Sequence, residues 1–364
     1  MRIPFRITGL LIIAGCGGPT TSNSSSADTA FYTPADFAAV EKIDAHVHIR
    51  SSDTTFAQQA KRDNYRLLTI AVDEPPGLEA QEQFGITQMQ LFPQQVSFAA
   101  TFSLDGWGRG DWSQKTIAHL QSAIDQGAVG VKFYKNIGME LRDPDGRFVM
   151  IDDPRFDTVL HFLTAHNITV IGHFGEPKDC WLPLDKMLMN TNRKYYTRHP
   201  EYHMFLHPDY PSYHEQIAAR NRMLKKHPQL RFVGAHLGSQ EWDTDTLAMH
   251  LDGHPNMAAD MAARISSLQF LTMKNHQKVR DFFIRYQDRL LYGTDRISDN
   301  SKPSAEEAAF IHDAWLRDWA FFTGSDTLRS SAFDGAFKGL QLPKTVVDKI
   351  YWKNAAKWFR GLAR

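Results

Sequence analysis

The chain has 364 residues, with 41 Lys plus Arg against 41 Asp plus Glu, and sixteen His beside two Cys. A formal charge of zero excludes the cationic excess that a phosphate-tracking nucleic-acid surface needs, and two Cys exclude a disulfide scaffold or a Cys-rich zinc module, so any metal site must be built from imidazole and carboxylate. At 42% hydrophobic and 23% charged residues, with no apolar run of about 18 residues, the composition is that of a globular chain without a spanning helix.

Residues 1–15 have the layout of an export leader, with Arg2 and Arg6 ahead of the short apolar stretch 7–14. The leader ends in Ile13-Ala14-Gly15-Cys16, which resembles a bacterial lipobox with Cys16 as the lipidated residue. Residues 16–35, rich in Ser, Thr, Gly and Asn, read as a flexible tether that holds the domain on the order of 25 Å from the membrane. The expectation is an exported domain, 36–364, that faces the periplasm or cell surface and meets the membrane only through its lipid. Cys180 is then the remaining cysteine, without an intramolecular partner.

From residue 43 onward, short apolar or β-branched runs alternate with longer helical patterns, the signature of βα units. Strands are expected at 43–49, 67–72, 96–102, 129–134, 169–173, 232–236, 256–260 and 290–294. The seventh is Ala-rich and also suits the start of a helix. Eight parallel strands imply an α/β fold closed as a (β/α)8 TIM barrel, whose active sites form at the C-terminal mouth. Asp153-Pro154 opens one helix, Ser212 and Glu215 form a capping box before another that stops at Pro228, and a final helix over 344–362 packs against the barrel. The connections 136–152 and 175–211 are too long for plain turns and read as rim excursions. Trp181, in the second, is a candidate substrate contact.

His46-Val47-His48 is the most informative run. Residues two apart on a strand share a face, so both imidazoles point into the barrel while Ala45 and Val47 face the helices, which makes half of a metal site. Val170-Ile171-Gly172-His173 and Val233-Gly234-Ala235-His236 each end an apolar strand in His, and Leu290-Leu291-Tyr292-Gly293-Thr294-Asp295 ends one in a carboxylate. Lys132 points inward from the fourth strand. A buried ammonium is costly, so Lys132 must pair with an acid, contact an anionic substrate or be carbamylated into a metal ligand. Arg264, Arg296 and Lys135, next to strand ends, are candidates for a substrate carboxylate.

The ordered set of His46, His48, His173, His236 and Asp295 resembles the amidohydrolase superfamily, in its amidohydrolase-related (amidohydrolase 2) branch. The likeness includes Asn354-Ala355 in the last helix and runs from about residue 43 to 359. It implies one or two divalent ions, zinc or manganese, held by His46, His48 and Asp295, with His173 a ligand or nearby. His236 would bind a second ion or stabilise the transition state, and Lys132 leaves the ion count open. The implied chemistry is hydrolysis of an amide, lactone or related carbonyl bond in a small molecule, with water activated by the metal and Asp295 taking its proton. The alternatives are a metal-dependent decarboxylase or hydratase acting on a small carboxylic acid, and a non-catalytic metal- or ligand-binding lipoprotein. Nothing in the sequence reads out an oligomeric state.

Overall fold

A computed structural model of the chain describes residues 30–362. The expected leader 1–15, Cys16 and most of the tether 16–35 lie outside the described residues. Within them, no helix is long and apolar enough to cross a membrane.

Eight positions of parallel strand close into a (β/α)8 barrel. They are β1 (Lys42–Ile49), β2 (Tyr65–Ile70), β3 (Val96–Ala99), β4 (Gly130–Phe133), β5 (Thr169–Gly172), β6 (Phe232–Gly234), β7 (Met257–Asp260) and β8 (Leu290–Leu291). The ladder runs β3-β2-β1 on one side and β4 to β8 in order on the other. One seam is closed by the Ala100–Val131 bridge, with Lys132 N–H donating to Ala100 O at 2.7 Å. At the other seam Ala45 N–H donates to Tyr292 O at 3.0 Å and Asp295 N–H to His46 O at 2.7 Å.

The eighth position is split. Leu290–Leu291 pairs with β7, and after a break the chain resumes as β9 (Arg296–Ser298), parallel to β1. The expected unbroken strand 290–294 is therefore corrected. Its second half does not pair with β7, and Asp295 sits in the break with a φ of 64°. The chain then adds a 20-residue helix, Ser304–Thr323, and an antiparallel hairpin of β10 (Thr327–Leu328) and β11 (Phe337–Lys338).

Side-chain facing on β1 also departs from simple alternation. Ile43 pairs with Arg66, Asp44 with Leu67 and then Val47 with Thr69, so β1 carries one residue more than β2 over this span. Such a bulge turns the later residues to the opposite face. Ile43 and Ala45 both pack inside with Leu68, Ile70, Val233 and Leu291, while Val47 and Ile49 pack in the outer layer with Phe98, Val131 and Trp315. Ala45 is therefore inward, contrary to expectation, and without the extra residue His46 and His48 would face the helices.

The capping box holds: Ser212 accepts from Glu215 N–H, and the helix runs Tyr213–Lys226. Asp153 caps a short 3-10 turn, Pro154–Phe156, that leads into the helix Asp157–Ala165. The last helical segment does more than line the wall. Ala355, Trp358, Phe359 and Leu362 join the inner strand residues and seal the N-terminal end of the barrel, and Asn354 Nδ2 donates to Gln287 O and Leu290 O, both at 2.7 Å.

Candidate active site

At the other end of the barrel the strand termini converge on imidazoles. His46 is fully buried and His48 nearly so. His46 Nδ1 lies 2.9 Å from Asp260 Oδ2, His48 Nδ1 2.7 Å from Ile70 O, and His236 Nδ1 2.9 Å from Ala262 O. Each contact is with an acceptor, so Nδ1 carries the proton and Nε2 presents a lone pair to the centre of the mouth. Carboxylate and carbonyl partners of this kind fix tautomer and ring angle together.

The lone pairs meet at Asp295. Its Oδ1 lies 3.2 Å from His48 Nε2 and 3.5 Å from His46 Nε2, and ligand atoms of these three residues all lie within 4.8 Å of one another. Acceptors facing acceptors at such distances repel unless a cation lies among them, so the donor set fits a divalent ion. His173 adds a second sign: its buried Nε2 has no hydrogen-bond partner, and its ring lies 4.3 Å from that of His236. Lys132 is also where expected, buried, with Nζ 3.3 Å from His46 Nε2.

The electrostatics favour neutral imidazoles around an ionised carboxylate. Burial pushes the His173 imidazolium well below its usual range and that of His236 down to about 3. His46 moves the same way, through burial and then the neighbouring Lys132. Burial alone would raise the carboxyl of Asp295, but the surrounding His236, His48 and His46 outweigh it and hold that carboxyl well below the carboxylate range. Burial lowers the Lys132 ammonium to about 8 against the pull of Asp260 and Asp295.

Local sequence explains the placement. Gly172, just before His173, is needed because a Cβ there would stand 2.3 Å from the Phe232 ring, and Gly293 lets the Asp295 segment approach to where a Cβ would meet that of His46 at 3.0 Å. Behind the turn, buried Asp44 accepts from Thr294 N–H at 3.0 Å, Thr294 Oγ1 at 2.6 Å and Trp315 Nε1 at 3.0 Å. Burial raises the Asp44 carboxyl to about 6.

Two side chains escape the sequence reading. Asp260, at the end of β7, accepts from His46 Nδ1, from His236 N–H at 2.9 Å and from Ala262 N–H at 3.1 Å. Both its oxygens are spent, so it orients the imidazoles although its own oxygens lie close enough to ligate. The signal was a carboxylate closing an apolar run, the same one that marks Asp295. Glu74 accepts from Tyr134 OH at 2.6 Å and pairs with Arg50, and nothing in its local sequence points to that role.

Not every expected substrate contact is free. Lys135 is neutralised by Glu176, which removes it as an unpaired cation. Trp181 packs edge-on to Tyr213 at 5.6 Å, beside a small cluster around Cys180, Met187 and Tyr196. Buried Cys180 donates Sγ–H to Tyr202 O at 3.0 Å. Arg264 keeps a buried Nε without a partner, and Arg296 borders a cavity with Asp295.

Residues 43–361 match the model of a family described as amidohydrolase. No curated protein sequence matches the chain. Among solved structures, 2,6-dihydroxybenzoate decarboxylase from Rhizobium is similar at 13% identity and a TM-score of 0.52, covering 88% of this chain and 98% of that one. A structure of 2,6-dihydroxybenzoate decarboxylase complexed with 2,6-dihydroxybenzoate gives 14%, 0.51, 88% and 99%. 4-Oxalomesaconate hydratase from Rhodopseudomonas palustris gives 13%, 0.45, 82% and 76%. At such identities the likeness is one of fold.

Proposed function

The chain belongs to the amidohydrolase family and is an enzyme, and on that premise we propose that it is a divalent-metal-dependent hydrolase that cleaves an amide, lactone or related carbonyl bond in a small molecule. The observation that carries this reading is the convergence of His46 Nε2, His48 Nε2 and Asp295 Oδ1 with their lone pairs facing one another. These three would hold the first ion, zinc or manganese, with His173 Nε2 the next available donor. When bound, the ion polarises the scissile carbonyl and makes water a nucleophile at neutral pH.

Asp295, ionised and with its side chain 31% exposed, is placed to accept a proton from attacking water and return it to the leaving group. His236 has a narrower role than an oxyanion donor. Its proton is on Nδ1 and donated to Ala262 O, so Nε2 offers a lone pair, which suits a ligand or proton acceptor. Lys132 stands inside the donor set, where carbamylation would make it a second-ion ligand. Export as a lipid-anchored protein through Cys16 belongs to the same proposal and is supported by residues 2–16 alone.

Purified protein is expected to carry about one or two divalent ions per chain and to lose turnover of a lactone and amide panel on chelation. Absence of stoichiometric metal after growth with added zinc or manganese would overturn the reading. Lys132→Ala halves the metal content if a second ion depends on it and leaves it unchanged otherwise. The same donor set can serve a lyase, so aromatic acids belong in the panel, and carbon dioxide release without addition of water would reassign the reaction.

A further inference from the structure

Beside the imidazole centre lies a cavity of about 810 Å3 that shares Asp295 with it. From Asp295 it passes Arg296 and reaches Arg317, on the helix Ser304–Thr323, then Arg329 and Ser330 after β10. Its volume lies within the range of small-molecule pockets. The charge on its walls is lopsided: three guanidiniums face two carboxylates, Asp295 and Asp318.

Neither acid lies within ion-pair distance of the arginines, although Arg296 and Arg317 act on Asp318 through space. Asp295 Oδ1 lies at the imidazole centre, 3.2 Å from His48 Nε2, and Asp318 accepts from Tyr292 OH at 2.8 Å, with burial raising its carboxyl to about 7. Among the described residues none of the three guanidiniums forms an ion pair within 4.0 Å. Arg296 also has a buried Nε without an acceptor, and its guanidinium lies 4.3 Å over the Phe310 ring. A lone exposed arginine needs no explanation, since water solvates it. Three that line one cavity, Arg296 half-buried with a buried unsatisfied donor and Arg317 and Arg329 exposed, offer the kind of donors that carboxylate and phosphate oxygens match.

We propose that this cavity binds an anionic group of the substrate, a carboxylate or a phosphate, remote from the bond that Asp295 serves. The inference rests on the reading above that Asp295 faces the reacting bond, because the shared residue is what joins the two spaces. It narrows the substrate class to small molecules that carry a negative charge on the far side of the scissile group.

The test is calorimetric titration of the full chain with glutarate, inorganic phosphate and the neutral diamide of glutaric acid, in metal-loaded and chelator-treated protein. Glutarate or phosphate is expected to bind in both states, the diamide in neither. The Arg317→Ala/Arg329→Ala variant should weaken the bound anion about tenfold or more with an unchanged melting temperature. Binding of glutarate alone identifies a carboxylate, and binding of phosphate alone a phosphate. Equal affinity for the diamide, affinity unchanged in the double variant, or no saturable binding of either anion by the wild type would each overturn the proposal. The metal reading fails separately: arginine-dependent anion binding in a protein that takes up no metal leaves the cavity assigned and the hydrolase overturned. Anion binding that needs metal and ignores the arginines does the reverse.

Discussion

The two ends of the barrel handle backbone strain differently. At the N-terminal end, left-handed positions before β2, β4 and β5 are held by Asn64, Gly127 and Asn167, residues that adopt positive φ at little cost. At the C-terminal end glycines such as Gly138, Gly175 and Gly238 take some of these positions, but His236, Leu237, Ser239, Ala263 and Asp295 hold others, and most of these five pay for that conformation, at roughly 1–3 kcal/mol each. The closed end is also apolar, with Trp358 and Phe359 among aliphatic side chains, whereas the mouth buries His46, His48, His173, His236 and Asp260. The difference teaches that the floor supplies stability and the mouth uses it to hold ligating groups in place.

If that division is right, damage to the mouth should abolish activity and spare the fold. His46→Ala and His48→Ala each remove a lone pair from the donor set, and turnover should fall about a thousandfold or more. Circular dichroism should remain that of the wild type. Loss of the folded state in both variants would mean that the imidazoles are structural, and the comparison would break. The reverse experiment is Trp358→Ala at the floor. A large buried aromatic is lost there, so chemical denaturation should show a loss of about 3–5 kcal/mol, while kcat of the remaining folded protein stays near wild type.

Asp260→Asn sits between these extremes. The amide can still accept from one side but loses the charge that orients His46, so metal affinity and turnover should drop about 10–100-fold. An unaltered metal affinity would show that the Ile70 and Ala262 carbonyls suffice to position the rings.

How much of this was legible in sequence follows from the same contrast. His46, His48, His173, His236 and Asp295 stand out because each is a polar residue closing or interrupting an apolar strand, and order along the chain suffices to collect them. The shared inward face of His46 and His48 was legible from their spacing, but the facing of Ala45 before them was not. The bulge after Asp44 depends on pairing with Leu67 and Thr69, which alternation within β1 cannot reveal, and it reverses the expected direction of Ala45. Asp260 was hidden because an Ala-rich strand is ambiguous with a helix. The cavity wall was hidden for a different reason: Arg296, Arg317 and Arg329 share no period or motif, and only the fold of the helix and hairpin after β9 brings them together.

Acid should expose the cost of neutral imidazoles in the mouth. His236 is held down to about 3, whereas unfolded histidine titrates near 6.5. Between those values the unfolded chain takes up a proton that the folded one refuses. The stability is therefore complete above about pH 6.5 and is lost as pH falls toward 3, at about 1.4 kcal/mol per unit for this one group. His173 adds in the same direction. Buried Asp44 and Asp318, raised to about 6 and about 7, act oppositely, since the unfolded chain loses those protons first as pH rises. The His236 contribution is isolated by comparing denaturation midpoints of metal-free wild type and His236→Asn at pH 7.5, 6 and 5. The variant should show the shallower decline on acidification, and parallel declines would remove the imidazole from the account.

The smallest effect is on the strain itself. Ala263 has a φ of 55°, an exposed side chain and no imidazole or carboxylate to place, yet it follows β7 two residues before the helix Ile265–Lys274. Its Cβ is the sole source of the left-handed penalty, about 1–2 kcal/mol. Glycine removes that penalty but gives back roughly 0.5–1 kcal/mol through the greater freedom of the unfolded chain. Ala263→Gly should therefore stabilise by about 0.5 kcal/mol, read as a small upward shift in the urea midpoint. Asn64→Gly, at the closed end, should show no gain, because asparagine already tolerates the conformation. A gain at Asn64 equal to that at Ala263 would mean that strain is spread evenly over the two ends, and the mouth would lose its distinction.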